Sequence, residues 1–144
     1  MIYKAQKEDA QAVASMAIIM WKNHSLEELR MEFEEIIANK ECTIFIYAIE
    51  NQPVGFAQCQ LRHDYVEGTK SSPVGYLDGI FINEEYRKQG CAKELLTQCE
   101  EWAKEQGCLE FARDCELTND SSFEFHKKMG FTETNRIICF TKQL

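Results

Sequence analysis

Several features that mark other protein classes are scarce or absent in this 144-residue chain. It has only 2 prolines and 7 glycines, and 44% of its residues are hydrophobic, which excludes a disordered or collagen-like chain. No apolar run approaches the roughly 18 residues of a membrane helix, and the first residues lack a secretory pattern. The length suits one domain. We therefore expect a single domain, residues 1–144, in the cytoplasm.

Basic residues are also few, since 16 Lys and Arg stand against 24 Asp and Glu and the net charge is −8. A nucleic-acid surface needs a basic face, so neither nucleic acid nor a membrane is expected as a partner. The negative net charge instead favours a cationic small molecule as the partner. The 7 cysteines are odd in number and form no C-x-x-C pair, which predicts reduced thiols. The three histidines lack ligand spacing, which predicts no metal.

Hydrophobic periodicity predicts the order β-α-α-β-β-β-α-β-α-β, an α+β domain. The predicted strands are 2–5, 42–50, 54–62, 74–82, 108–115 and 136–142, and the predicted helices are 9–21, one that begins after Ser25, 91–106 and 119–128. Ser25 and Glu28 form a capping box ahead of a helix with an acidic outer face. A right-handed crossover places 74–82 and 108–115 in parallel.

The predicted strand at 74–82 contains two unusual residues. Asp78 is a charge among apolar residues, and Gly79 is a strand-interior glycine, which often marks a bulge or a close backbone approach. A carboxylate at such a place needs compensation. Asp78 is therefore either a functional group or a strand residue paired with local amides or a basic neighbour.

The segment that follows this strand has the features of an anion site. Residues 87–93 lead into a helix, Gly90 lets the backbone approach a ligand, and Ala92 keeps the entrance open. The first amides of a helix are unpaired, and the helix dipole favours negative charge. The pattern predicts a diphosphate site, and a plain helix start is the alternative.

Two motifs in this order resemble those of the GCN5-related N-acetyltransferase superfamily. The first is Arg87-x-x-Gly90-x-Ala92, which resembles the acetyl-CoA signature. The second reads Asn119-x-x-Ser122-x-x-Phe125-His126-x-Lys128-x-Gly130-Phe131. The element order matches over essentially the whole chain. The resemblance implies a mixed central sheet of about six to seven strands, four flanking helices and splayed central parallel strands.

The resemblance also implies acetyl-CoA as co-substrate and no metal. Amides of the turn would hold the pyrophosphate, the main chain of 80–82 would pair with the pantetheine arm, and an amide near Ile80 would polarise the thioester carbonyl. The implied cofactor-binding residues are Ile80, Phe81, Ile82, Arg87, Lys88, Gln89, Gly90, Cys91, Ala92, Lys93 and Asn119.

Acyl transfer of this kind needs an amine that has lost a proton. Asp78 is predicted to bind the ammonium group and accept that proton. Many superfamily members protonate the leaving thiolate with a tyrosine where this chain has His126, so either the imidazole or water is expected to take that role. Cys91 is expected to be passive, because no His–Asn partner set accompanies it.

Further segments resemble the aminoglycoside 6′-N-acetyltransferases. These are 61–68, 71–73, 77–81, Trp21-x-x-His24 and 130–136. The resemblance implies direct attack of the 6′-amine on acetyl-CoA in a ternary complex. Carboxylates and aromatic faces suit such a polycationic sugar. The predicted substrate-binding residues are Trp21, His24, Asp64, Tyr65, Asp78, Asp114 and Glu133.

Other functions fit the same features. The acceptor is alternatively a polyamine or another small amine, or less readily a peptide amine, and a coenzyme-A-binding sensor without turnover is a further alternative. The presence of both Asp78 and Gly79 argues against the sensor. A homodimer is also predicted, because the apolar run 137–140 would leave an exposed sheet edge.

Overall fold

The computed structural model describes residues 1–144 and follows the predicted element order up to the fourth helix. The strands are β1 (Ile2–Lys4), β2 (Cys42–Ile49), β3 (Gln52–Arg62), β4 (Val74–Ile82) and β5 (Phe111–Ala112). The helices are α1 (Ala10–Met20), α2 (Leu26–Ala38), α3 (Cys91–Glu105) and α4 (Asp120–Lys128). The sheet runs in the order β1-β2-β3-β4-β5. All neighbours are antiparallel except the predicted parallel pair β4 and β5.

The start of α2 shows how local sequence determines local structure. The hydroxyl of Ser25 accepts a hydrogen bond from the amide of Glu28 at 3.1 Å, and the amide of Ser25 donates to the Glu28 carboxylate at 3.2 Å. The predicted capping box is confirmed. Behind it, Leu29 and Phe33 lie one turn apart and are buried, which fixes α2 against the sheet.

Two apolar cores lie on opposite faces of the sheet. Between the sheet and the α1–α2 pair, Phe33, Ile46 and Phe56 are almost fully buried. Between the sheet and α3, Cys59 and Leu95 are fully buried. The alternation of side chains along β2, β3 and β4 supplies both cores at once.

The hairpin between β2 and β3 turns at Glu50 and Asn51, earlier than the predicted turn at 51–53. Their φ angles are +50° and +65°, as in the two-residue hairpin turn whose twist matches the strands. Pro53 is consequently paired within β3, opposite Ala48. A strand that was expected to resume at 54 therefore begins at Gln52.

The far edge of the sheet is shorter than predicted. β5 comprises Phe111–Ala112 instead of 108–115, and the strand predicted at 136–142 is not formed, so the sheet has five strands and not six or seven. A strand needs a partner for its amides and carbonyls, and residues 136–142 have none within this chain. Their alternating apolar pattern is left exposed.

Two further predictions from composition concern the cysteines, expected as reduced thiols, and the helices, none of which was expected to span a membrane. All seven cysteines are free thiols, and the hydrogen bond with Cys99, together with burial, raises the pKa of Cys59. None of the helices has both the length and the apolar character of a membrane span.

Candidate active site

A β-bulge in the middle of β4 organises the site. The pairing of β4 with β3 passes directly from Leu77 opposite Cys59 to Gly79 opposite Gln58. Asp78 is therefore the extra, unpaired residue of the bulge. The sequence pointed to Gly79 as the sign of a bulge, and the structure places the bulged residue one position earlier.

The bulge reverses which residues of β4 face β5. Before it, the amide of Gly75 donates at 3.0 Å to the carbonyl of Glu110, directly before β5, and after it the amide of Asn83, directly after β4, donates to Val54 on β3 at 2.8 Å. Residues two apart in a regular strand point their amides to the same neighbour, so one extra residue has shifted the alternation. The backbones of Ile80 and Ile82 therefore face away from β3. Consistently, the Ile82 carbonyl accepts a hydrogen bond from Arg87 at 2.8 Å.

Beyond Tyr76, no strand pairs with that side of β4. β4 and β5 are in register only at Gly75 with Phe111 and at Tyr76 with Ala112, and beyond this point they separate. We call the space between the separated strands the gap, and its narrow end at Tyr76 and Ala112 the apex. Phe81 does not face the gap, because it is paired with β3 and its ring is 5% exposed in the α1–α2 core.

The gap ends at the turn that begins α3. Lys88 and Gly90 have φ angles of +61° and +88°, and no side chain caps the helix start at Gly90. A Cβ atom at Gly90 would meet no atom within 4 Å, so the backbone is open to a ligand. These uncapped amides fit a diphosphate group. Cys91, the first residue of α3, is 4% exposed and packs in the core between α3 and the sheet, which agrees with a passive role.

Asp78 lies on the α1–α2 side of the apex. Its carboxylate accepts a hydrogen bond of 2.7 Å from the side-chain amide (Nε2) of Gln60 on β3. Burial raises the pKa of Asp78, and the Gln60 hydrogen bond, Arg113 and Arg62 oppose that shift. The group is thus held where it can take up a proton more readily than an exposed aspartate.

A cleft of about 290 Å³ opens over Asp78 between α1, α2 and the sheet. It is lined by Trp21, His24, Leu29, Glu32, Phe33, Ile36, Gln58 and Asp78. Trp21 stacks on Phe33 with 6.3 Å between ring centroids and 24° between planes. A Cβ atom at Gly79 would lie 3.0 Å from the indole, so the glycine lets Trp21 lie against the bulge. We call this space the acceptor cleft.

Two polar residues of the acceptor cleft were not among the predicted site residues. The side-chain oxygen of Gln58 is buried and has no hydrogen-bond partner, and Glu32 lies on the opposite wall. Gln58 is a polar residue on the buried half of a strand, and this is the one signal of it that the sequence contains. Glu32 is one of several glutamates on α2, and sequence alone does not distinguish it from the others.

The other predicted substrate residues lie outside the acceptor cleft. Asp64 is paired with Arg62 at 2.7 Å and Glu133 is paired with Arg136, while Tyr65 is 69% exposed. Asp114 follows β5, and together with burial, the larger cause, it raises the pKa of Tyr76 to about 12.

His126 lies on α4 with Asn119 at the start of the same helix. The side chain of Asn119 caps α4 by accepting from the amide of Ser122 at 3.1 Å. The Nδ1 atom of His126 lies 2.5 Å from the Ser122 carbonyl, which only accepts, so Nδ1 carries the proton. Nε2 is buried without a partner. Burial lowers the pKa of His126, and Arg113 adds to this. No group of three or more potential metal ligands is gathered in the structure.

A strand opened by a bulge, with donors aimed into the gap and a carboxylate at its apex, is built for acyl transfer from a nucleotide-bearing thioester. Comparison with known sequences identifies the class: the sequence model of the acetyltransferase (GNAT) family matches residues 6–131, and the chain belongs to that family.

Individual members of this family are similar to the chain over nearly its whole length. The chain is 39% identical over 145 residues to aminoglycoside N(6′)-acetyltransferase type 1 of Serratia marcescens, covering 100% of this chain and 99% of that one. It is similar to AAC(6′)-Iy, solved in complex with the bisubstrate analogue CoA-S-monomethyl-acetylneamine, with a TM-score of 0.95, 33% identity and coverage of 100% and 98%. AAC(6′)-Ih from Acinetobacter baumannii matches with a TM-score of 0.93, 32% identity and the same coverage.

Proposed function

We propose that the protein transfers the acetyl group of acetyl-CoA to the 6′-amine of aminoglycoside antibiotics, by direct attack within a ternary complex. The observation that carries the proposal is the position of Asp78. It lies on a bulge with the acceptor cleft on one side and the gap, the expected site of the thioester, on the other. Acetyl-CoA is a substrate of this reaction and not a resident cofactor. We place the reaction in the cytoplasm, where acetyl-CoA is available.

On the donor side, the chain would bind acetyl-CoA mainly through its backbone. Amides of residues 88–93 would hold the pyrophosphate at the start of α3. The Ile80 and Ile82 backbones would pair with the pantetheine arm. The side chain of Arg87 donates a hydrogen bond to the Ile82 carbonyl and so fixes this part of the backbone. The Ile80 amide would donate to the thioester oxygen, where negative charge develops during attack.

On the acceptor side, carboxylate and amide oxygens would bind the ammonium group. Asp78 would accept its proton directly or through water, which leaves a neutral amine able to attack. The unpartnered oxygen of Gln58 would accept a second N–H, and Glu32 would attract the remaining positive charges of the sugar. The Trp21 ring would support a sugar ring or an ammonium group.

The predicted outer residues have a different place in this proposal. Asp64, Tyr65, Asp114 and Glu133 lie beyond the lining of the acceptor cleft. Since a whole aminoglycoside is larger than a cleft of about 290 Å³, they would contact only the rings that extend out of it. Of the two proton donors that the sequence left open, His126 has its proton on Nδ1 facing Ser122, so water would take this role.

The alternatives are a small-amine acetyltransferase and a sensor that does not turn over. The test is the initial rate of acetyl transfer from labelled acetyl-CoA to kanamycin, tobramycin, spermidine and a lysine peptide, with product masses. We expect the two aminoglycosides to be preferred. A preference for spermidine would favour the small-amine enzyme. Thermal stabilisation by coenzyme A without transfer to any amine would favour the sensor.

We also propose that two copies associate through their C-terminal segments, residues 132–144. These residues form no helix or strand, and Ile137, Ile138 and Phe140 are 65%, 80% and 87% exposed. The outer edge of β5 is unpaired and adjoins a groove of about 440 Å³ lined in part by Phe111 and Phe131. An extended segment from a second copy would pair with this edge and cover its apolar residues.

Sedimentation analysis tests the dimer. We expect the wild-type protein to sediment as a dimer, and Phe140→Asp to shift it toward a monomer. Leu117→Asp is the control, because Leu117 is 70% exposed but lies outside the segment. A wild-type protein that is monomeric at all concentrations tested would contradict the proposal.

A further inference from the structure

Arg113 is an unexpected charge that lies close enough to Asp78 and His126 to act on the pKa of both, and it also borders the groove beyond β5. It follows Ala112, the last residue of β5 and the last to pair with β4. Its side chain is half-buried, and its Nη1 atom is buried with no hydrogen-bond partner. Its only hydrogen bond is from Nε to the backbone carbonyl of Asp114, at 3.1 Å, and it forms no salt bridge. A buried N–H donor without an acceptor destabilises the protein, and a ligand that accepts its hydrogen bond removes that cost.

The surroundings of Arg113 keep it charged. Burial lowers its pKa, and Tyr76, Asp114, Cys115 and Asp78 all oppose that shift. A guanidinium group stays protonated under such conditions. A permanent positive charge with an unpartnered Nη1 donor group therefore lies close to the bulge that carries Asp78.

His126 also has a buried nitrogen without a hydrogen-bond partner, but this nitrogen is an acceptor, whereas Nη1 of Arg113 is a donor. Its Nε2 is a buried acceptor without a partner, because the ring proton is on Nδ1 and donates to Ser122. Burial and the charge of Arg113 both disfavour a second proton on the ring. His126 therefore has no proton to give toward the gap in this arrangement, and a departing anion needs another source of stabilisation.

We propose that Arg113 is a catalytic residue that stabilises the thiolate of coenzyme A as it leaves. This inference rests on the proposed acetyl transfer. The amine nitrogen forms its bond to the acetyl carbon and loses a proton to Asp78 or water. The carbon–sulfur bond breaks with both electrons remaining on sulfur. The thiolate pairs with the Nη1 donor of Arg113 and later takes a proton from solvent, so that free coenzyme A is released.

The chain has a matched control for this role. Arg62 and Arg113 both act on the pKa of Asp78 in the same direction. Arg62, however, lies on β3 and is paired with Asp64 at 2.7 Å, outside the gap. An effect exerted through Asp78 should appear in both Arg62→Gln and Arg113→Gln, whereas an effect on the thiolate should appear in Arg113→Gln alone.

The first test measures the thiol of bound coenzyme A. The ultraviolet thiolate band is recorded as a function of pH for the complex with coenzyme A, and the spectrum of the complex with desulfo-coenzyme A is subtracted to remove the seven cysteines of the protein. A free thiol titrates at about 8.5, and a neighbouring arginine lowers that value. We expect a lowered thiol pKa in the wild type, in Arg62→Gln and in Arg113→Lys, and a return toward the free value in Arg113→Gln.

The second test is kinetic. We expect Arg113→Gln to lower kcat about 100- to 1,000-fold, the range seen when a single charge-stabilising donor is removed, with little change in the KM of the amine. Arg113→Lys should recover part of the loss. Equal losses in Arg62→Gln and Arg113→Gln would overturn the proposal, because they would assign the effect to Asp78.

The wild-type titration is decisive even where a variant does not fold. A thiol of bound coenzyme A that titrates as it does in free solution would overturn the role of Arg113 and leave the proposed acetyl transfer intact. Failure of the protein to bind coenzyme A at all would instead contradict the proposed function.

Discussion

The sheet has two unequal halves, and the difference between them explains where the chemistry lies. From β2 to β4 the ladders are long, both faces are covered, and Phe56 and Ile46 are fully buried. From β5 onward the ladder has two pairs, and residues 131–144 form no regular structure. Asp78 belongs to the first half and Arg113 to the second, so the apex lies where a rigid half meets an incomplete one.

A rigid half holds a reacting group in place, while an incomplete half leaves room for ligands. The gap exists because β5 stops at Ala112 while β4 continues to Ile82. The exposed edge beyond β5 exists for the same reason. One short strand therefore accounts both for the space proposed for acetyl-CoA and for the surface proposed for a second copy.

The largest expected effect is that of Asp78→Asn in the rigid half. Loss of the proton acceptor should lower kcat about 100- to 10,000-fold, while acetyl-CoA binding is retained. Steady-state kinetics and calorimetric binding of acetyl-CoA measure the two effects. Asp64→Asn is the comparison, since Asp64 is an exposed carboxylate paired with Arg62 and would contact only the outer rings, so its loss should affect the KM of the amine and not kcat. Unchanged turnover in Asp78→Asn would remove Asp78 from the mechanism.

The pH dependence of kcat/KM follows from the same residue. Burial raises the pKa of Asp78 above the ordinary value of about 3.9, and the reaction requires the carboxylate, so activity should fall on the acid side at a pH above that value. Gln60→Leu removes the hydrogen bond that lowers this pKa and should move the acid limb to higher pH. An acid limb that stays in place would show that Asp78 does not set it.

Core truncations compare the two halves directly. Phe56→Ala should lower the free energy of unfolding by about 3–5 kcal/mol, because the ring is fully buried. Phe140→Ala should change it by less than about 0.5 kcal/mol in the monomer, because the ring is 87% exposed. Chemical denaturation at low protein concentration measures both. Similar losses for the two variants would mean that residues 131–144 are packed within one chain.

Gly90→Ala tests the turn at the end of the gap. The φ angle of +88° makes alanine cost about 1–2 kcal/mol, and the added methyl should also raise the KM of acetyl-CoA several-fold by displacing the pyrophosphate. Gly107→Ala is the matched control, with a φ of +90°, equally open space and a position outside the site. Equal changes in KM for the two variants would contradict a diphosphate site at Gly90.

The smallest expected effect concerns the cap of α2. Ser25→Ala should destabilise the protein by about 1 kcal/mol, measured by thermal unfolding, and should leave kcat unchanged. A change in kcat without a change in stability would show that the start of α2 acts on the acceptor cleft more directly than packing alone explains.

Local patterns made much of the fold predictable. Ser25 and Glu28 fixed the start of α2, and Gly79 indicated the bulge that turns Ile80 toward the gap. The pairing of strands was less accessible. The alternation of residues 136–142 is that of a strand, but a strand also needs a partner, and no local pattern reveals whether one is present.

The candidate site was predictable where a residue broke a local rule. Asp78 was conspicuous as a charge in an apolar strand, and Trp21 as a neighbour of the cleft through the family resemblance. Gln58 and Arg113 were missed, because their importance lies in an unpaired buried atom. Whether a buried polar atom finds a partner depends on tertiary neighbours, so the sequence shows at most, as at Gln58, a polar residue on the buried half of a strand.

The most direct test of acetyl transfer to a 6′-amine compares neomycin with paromomycin, which differ only in an amine or a hydroxyl at the 6′ position. With labelled acetyl-CoA and the acetylated position identified by NMR, the account predicts rapid acetylation of neomycin at the 6′-nitrogen and no comparable reaction of paromomycin. Equal acetylation of both compounds, or an acetyl group on any other nitrogen of neomycin, would contradict it.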